Sequence, residues 1–125
     1  MTKIFAAVVL ALSMAFCQPR TDGPNLAKIR REVRDYESMM SAFAWHRRYY
    51  PFRFDSLRVV KDPSDTSRMI GYSILHYFSS VRNPNIGDLI ECIYYITPDY
   101  KVVVSRNAWM DRGKADSIGI VALKK

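Results

Sequence analysis

Histidine and cysteine are scarce in this chain of 125 residues: two of each, His46 and His76, Cys17 and Cys92. There is no H-E-x-x-H and no C-x-x-C. A metal site of three or four ligands would have to draw carboxylates from scattered positions, so no metal and no cofactor are expected. The five glycines are isolated from one another, which excludes a glycine-rich phosphate loop, and no serine sits in a G-x-S-x-G elbow. Acidic residues are also in deficit, with 12 Asp and Glu against 19 Lys and Arg and a formal charge of +7. Finally, no apolar run approaches the roughly 20 residues that a permanent membrane-spanning helix needs.

A shorter apolar run is present, and it opens the chain. Lys3 precedes Ile4 to Ala11, continued by Leu12, Met14, Ala15 and Phe16, a stretch of about 13 residues with small side chains toward its end. A basic residue, an apolar core and small residues before a polar stretch are the pattern of an export signal. As the opening helix of a cytosolic domain the run would lack a polar face. Two cuts are open. Leu12-Ser13-Met14-Ala15-Phe16-Cys17 resembles the lipobox of bacterial lipoproteins, in which the cysteine becomes the acylated N-terminus, with Phe16 standing where that pattern has a small residue. The alternative is ordinary cleavage after Ala15, with Ser13 and Ala15 as the small pair. The expected organisation is a signal over 1–16, a Pro- and Gly-containing tether over 17–24, and one domain over 25–125. Acyl chains on Cys17 would hold the protein at a membrane, each buried CH₂ contributing about 0.8 kcal/mol.

Lys3 leaves with the signal, so the remaining part carries +6. Such a surface attracts anionic partners. In an exported protein those are headgroups, acidic glycans or acidic proteins, and no nucleic acid is expected. Cys92 reads as a small buried apolar residue; a bridge to Cys17 would tie a tail to the middle of a strand.

From Asn25 the apolar residues Leu26, Ile29, Val33, Tyr36, Met40 and Phe43 recur at steps of three and four, with Lys28, Arg30, Arg31, Arg34 and Asp35 off that stripe. This predicts an amphipathic helix capped by Asp22 or Asn25 and ending before Pro51. The period then shifts toward two. Strands are expected over 56–61, 69–81, 89–97 and 100–105, with a last one over 118–123, and the Asp62–Ser67, Asn83–Asp88 and Pro98–Asp99 segments form turns. Ile70, Tyr72, Ile74, His76 and Phe78 share one face of the second strand, and Ile90, Cys92, Tyr94 and Ile96 one face of the third. The stretch 107–116, with Trp109 and Met110, has no clear pattern.

The fold expected is therefore α+β: one amphipathic helix packed on a curved antiparallel sheet of four to five strands, whose other face is partly wet. This element order resembles the cystatin-like and NTF2-like folds, over about residues 25–106. With the lipobox-like segment it resembles the small helix-plus-sheet lipoproteins of bacterial envelopes. The Gln-x-Val-x-Gly loop of cystatin protease inhibitors is absent, so protease inhibition does not carry over.

Two groups of residues are candidates for chemistry. His76, alone among apolar neighbours on a central strand, is a candidate general base; the structural alternative is a histidine bonded to a tyrosine in the core. Arg47, Arg48 and Arg53, interleaved with Tyr49 and Tyr50, are candidate ligand-binding residues, because guanidinium groups pair with carboxylate or phosphate while rings stack on a ligand. The first functional reading is a non-enzymatic envelope lipoprotein that binds a partner protein or an anionic ligand. The alternative is a small NTF2-like pocket enzyme using His76 with Tyr72 and Tyr94. A third is an accessory subunit whose exposed sheet edge pairs with another chain.

Overall fold

The computed structural model describes residues 23–125. The signal and Cys17 lie outside the described residues, as does the candidate cap Asp22. Asn25 caps the first helix, its Oδ1 accepting from the Lys28 N–H at 3.1 Å. Helix α1 then runs over Leu26–Phe43 and buries Ile29, Val33, Glu37 and Ser41. These four stand one helical turn apart, so the buried row begins apolar and ends polar. Phe43, on the expected apolar stripe, is 79 % exposed: the row that reaches the sheet is 29-33-37-41, and the stripe drifts off it toward the end of the helix.

The end of α1 is built by hydrogen bonds rather than by proline. His46 takes a left-handed φ of 50°, and the Arg47 N–H reaches back to the Ser41 carbonyl at 2.9 Å. This seven-residue closure around a left-handed residue turns Arg47 back onto the helix it has just left.

Four strands follow: β1 (Tyr50–Asp62), β2 (Asp65–Ser79), β3 (Ile90–Ile96) and β4 (Val102–Asn107). They form one sheet in the order β1-β2-β3-β4, antiparallel throughout. Asp62 holds the first hairpin turn by accepting from the Ser64 N–H at 3.0 Å and hydroxyl at 2.7 Å. Those bonds, with Lys124 nearby, hold its carboxyl down to about 2.

Helix α1 covers one face of the sheet, where Ile29 and Val33 pack with Tyr72, Ile74, Phe78, Cys92, Tyr94 and Ile96. These are the faces expected from the alternation of β2 and β3. The other face departs from expectation. The segment expected as a last strand is helical: α2 spans Arg112–Leu123, and it covers part of the outer face with Ala115 against Ile93 and Tyr95. The residues at the contact are small, Ala115 and Gly119 one turn apart, so no apolar stripe announces the helix. Gly119 lies so close that an added Cβ would stand 2.3 Å from the Tyr95 ring. Asp116 fastens α2 by accepting from the Tyr95 hydroxyl at 2.8 Å and from Arg58 at 3.2 Å. The fold is α+β, with two helices and an open four-stranded antiparallel sheet. Among the described residues, no helix is long and apolar enough to cross a membrane.

Candidate functional site

At the end of the sheet where α1 finishes and β4 ends, a cleft of about 360 Å³ is lined by Glu37, Trp45, Arg47, Cys92, Ser105, Arg106, Asn107 and Met110. Its floor follows from the polar end of the buried row on α1. Glu37, 3 % exposed, accepts from the Tyr94 hydroxyl at 2.6 Å and the Ser41 hydroxyl at 2.7 Å. The turn around His46 brings the Arg47 guanidinium within 3.7 Å of the same carboxylate, and Arg47 Nε donates to Ser41 Oγ at 3.3 Å. A buried carboxylate is tolerated only with such partners. Glu37 is thereby committed to its neighbours, while Arg47 keeps donors to spare and lies 5.4 Å from the Trp45 ring and 5.1 Å from that of Phe78.

The other groups around the cleft are quiet as acids and nucleophiles. Burial, reinforced by Glu37, pushes the Cys92 thiol up to about 11, so it stays protonated and unreactive at neutral pH. Burial also raises the Tyr94 hydroxyl, with Cys92 and Glu37 adding to the effect. Arg106, opposite Ile93 on β3, turns its side chain to the α2 face of the sheet, where its Nε is buried without a hydrogen-bond partner among the described residues. A buried donor left unmade costs about 1–3 kcal/mol, more when charged. Trp45 stands at the rim, 62 % exposed.

His76 belongs to the core beside the cleft and does not line it. Its ring is 0 % exposed and stacks on Phe54 with centroids 4.0 Å apart. Nδ1 lies 2.9 Å from the Arg53 carbonyl oxygen, which can only accept, so the proton is on Nδ1. Nε2 therefore accepts from the Tyr49 hydroxyl at 2.6 Å. Burial pushes the ring pKa down to about 4, against the bond to Arg53, with Arg34 lowering it further. Both nitrogens are occupied, and the ring is neutral.

The basic and aromatic segment divides between the two faces of the sheet. Pro51 pairs with Phe78 and Arg53 with Tyr77, so Phe52 is the extra residue of a bulge. That bulge lets both Tyr49 and Phe54 turn inward to His76 although they are five residues apart. Arg47 enters the cleft. Tyr50 lies across from Ser79, and hydrogen bonding to Arg48 and then to Arg82 lowers its hydroxyl pKa. Arg53 lies 4.5 Å over the Tyr77 ring and pairs with Asp55 at 3.8 Å. Of the five candidates, only Arg47 therefore meets the cleft; Arg48, Tyr50 and Arg53 lie on the outer surface, and Tyr49 is a partner of His76.

The cleft recruits Glu37, Arg106 and Asn107, which the sequence pattern does not single out. For Glu37 a signal existed, a carboxylate four residues after Val33 in the buried row; for Arg106 there was none. No family model, curated protein or solved structure matches this chain.

Proposed function

We propose that the chain is an exported envelope lipoprotein whose folded domain is a non-catalytic binding module, taking an anionic group in the cleft beneath Trp45. The observation that carries this reading is the Arg47 guanidinium, which keeps donors to spare in a cleft of about 360 Å³ beside Trp45. Carboxylate and phosphate are the groups that guanidinium donors hold best. A catalytic reading has less support, because His76 is sealed from solvent with both nitrogens engaged and the Cys92 thiol is held protonated. In this reading the core of α1 on the β1–β4 meander is of the cystatin-like kind, with α2 an addition to its outer face.

The test is a titration of the Trp109→Phe protein, which leaves Trp45 as the reporter, with glutamate, citrate and inorganic phosphate. Saturable change in Trp45 fluorescence is expected with at least one anion, weakening as salt rises. Replacing Arg47 by Gln should weaken it tenfold or more, as loss of a charged hydrogen bond of about 1.5–3 kcal/mol implies. A fluorescence signal indifferent to all three anions counts against the cleft.

A further inference from the structure

The lysines of this chain gather at one end of the fold. Residues 23–125 hold six of them: Lys28, Lys61, Lys101, Lys114, Lys124 and Lys125. Four elements bring five of the six to the end where α1 begins. Lys28 stands in the first turn of α1, 5.4 Å from the centre of the Tyr100 ring. Tyr100 and Lys101 lie in the turn between β3 and β4. Lys61 is near the tip of the β1–β2 hairpin, which continues past Tyr72 and Ile96, the last pair that β2 makes with β3. Helix α2 finishes against that hairpin, with Lys124 Nζ 3.3 Å from Asp62 and Lys125 following. The hairpin adds Arg68 to the group. Lys114, in the first turn of α2, is left at the other end.

Three acids share this end, Asp62, Asp65 and Asp99, so its side chains keep a charge of +3. Each acid holds its own turn. Asp62 is bound to Ser64 and Lys124, Asp65 accepts from the Ser67 N–H at 3.2 Å and hydroxyl at 2.6 Å, and Asp99 accepts from the Thr97 hydroxyl. Lys61, Arg68, Lys101 and Lys125 are exposed, and among the described residues none of the four has a carboxylate within 4.0 Å. A lysine is a compact charge on a flexible stem, without the planar fork that grips one carboxylate or phosphate. Lysines spread over a hairpin tip, a turn and two helix ends therefore suit an extended anionic surface better than a single small anion. The segment 17–24 joins the fold at this same end, so an anchor on Cys17 brings lipid headgroups to these lysines first.

From this placement we infer that the end of the fold carrying Lys61, Arg68, Lys101 and Lys125 is a contact surface for an anionic lipid bilayer. One acyl chain and one basic patch are each weak attachments, and the two together hold a protein at a membrane. The inference rests on the lipoprotein reading for the nearness of the bilayer, and on the distribution of lysine for the contact itself.

The experiment is co-sedimentation of the lipid-free mature chain, residues 17–125 with Cys17→Ser, with two kinds of vesicle: phosphatidylcholine alone, and phosphatidylcholine with about 30 % phosphatidylglycerol. Partitioning onto the anionic vesicles should be at least tenfold stronger and should be lost at about 0.5 M salt, where exposed charges are screened. Lys61→Glu combined with Lys101→Glu should weaken it at least tenfold, while Lys61→Arg combined with Lys101→Arg keeps it and shows that the fold tolerates change at both positions. Arg82→Glu combined with Lys114→Glu, at the opposite end, should leave it unchanged. Equal partitioning onto the two kinds of vesicle, no partitioning onto either, or equal loss from the two charge reversals overturns the inference. If the natural protein proves to be acylated while the lipid-free chain ignores anionic vesicles, the lipoprotein reading stands and the basic contact falls. If it carries no acyl chain yet the lipid-free chain binds through Lys61 and Lys101, the contact stands and the anchor falls.

Discussion

His76 is neutral in the folded protein because its burial leaves no solvent to support a charge, and its two nitrogens are matched to one carbonyl and one hydroxyl. This has a consequence for stability. Above the ordinary value of 6.5 the ring is neutral whether the chain is folded or not, and stability is unaffected by it. As pH falls from 6.5 toward the folded value of about 4, only the unfolded chain takes up the proton, so stability declines through that window and the loss is complete below it. The span corresponds to about 3 kcal/mol, at roughly 1.4 kcal/mol per pH unit. Proton NMR of the ring should show no titration of His76 above pH 5, and the urea midpoint should fall between pH 6.5 and 4.5. A ring that titrates near 6.5 in the folded protein would refute the assignment and return His76 to the list of available bases.

The second helix shows how an element can be specified by contacts that leave little trace in pattern. Its sequence, with Ile118, Ile120, Val121 and Leu123 close together, has the β-branched texture of a strand. What makes it helical is a cap and two small residues: Asp111 accepts from the Gly113 N–H at 2.9 Å, and Ala115 and Gly119 let the helix lie directly on the sheet. Replacing Gly119 by Ala sets two effects against each other. Helix propensity favours alanine by about 1 kcal/mol, while overpacking costs about 1–3 kcal/mol. The ring it would strike is that of Tyr95, 0 % exposed and held by its hydroxyl on Asp116, so the clash should prevail. A thermal melt should drop by about 5 °C or more, whereas Gly113→Ala, whose new Cβ would meet nothing closer than 3.4 Å, should not fall with it. Equal behaviour of the two variants would mean that Tyr95 yields easily. Where periodicity and packing coincide, the elements were legible: α1, and the inward residues of β2 and β3, follow from spacing alone. The site was legible only in part. Arg47 could be named from its neighbours, but its place in the cleft, with Glu37 and Asn107, depends on a helix-ending turn around His46 and on the pairing of β4 with β3. Both are long-range or conformational facts without local signature.

At the scale of the molecule, the cleft and the start of the described chain lie at opposite ends. Asn25 opens α1 beside Tyr100, its N–H donating to that hydroxyl at 3.1 Å, in the turn between β3 and β4. The cleft is at the far end, where β4 finishes at Asn107. Helix α1, whose 18 residues run between the two ends, spans about 27 Å at 1.5 Å per residue. The eight residues 17–24 cannot exceed about 29 Å even when fully extended. If Cys17 is acylated, as proposed, only a fully extended tether would reach as far as the cleft end, so any shorter conformation holds Trp45 and the cleft facing outward to partners in the envelope. The premise is open to direct measurement by intact mass of the protein recovered from the membranes of its own host. The expected mass is that of a chain beginning at Cys17 with acyl chains added, and Cys17→Ser should release the protein from the membrane fraction. A lipid-free chain beginning at Phe16 would remove the anchor. The binding cleft would then act in an untethered protein, and the outward orientation would no longer follow.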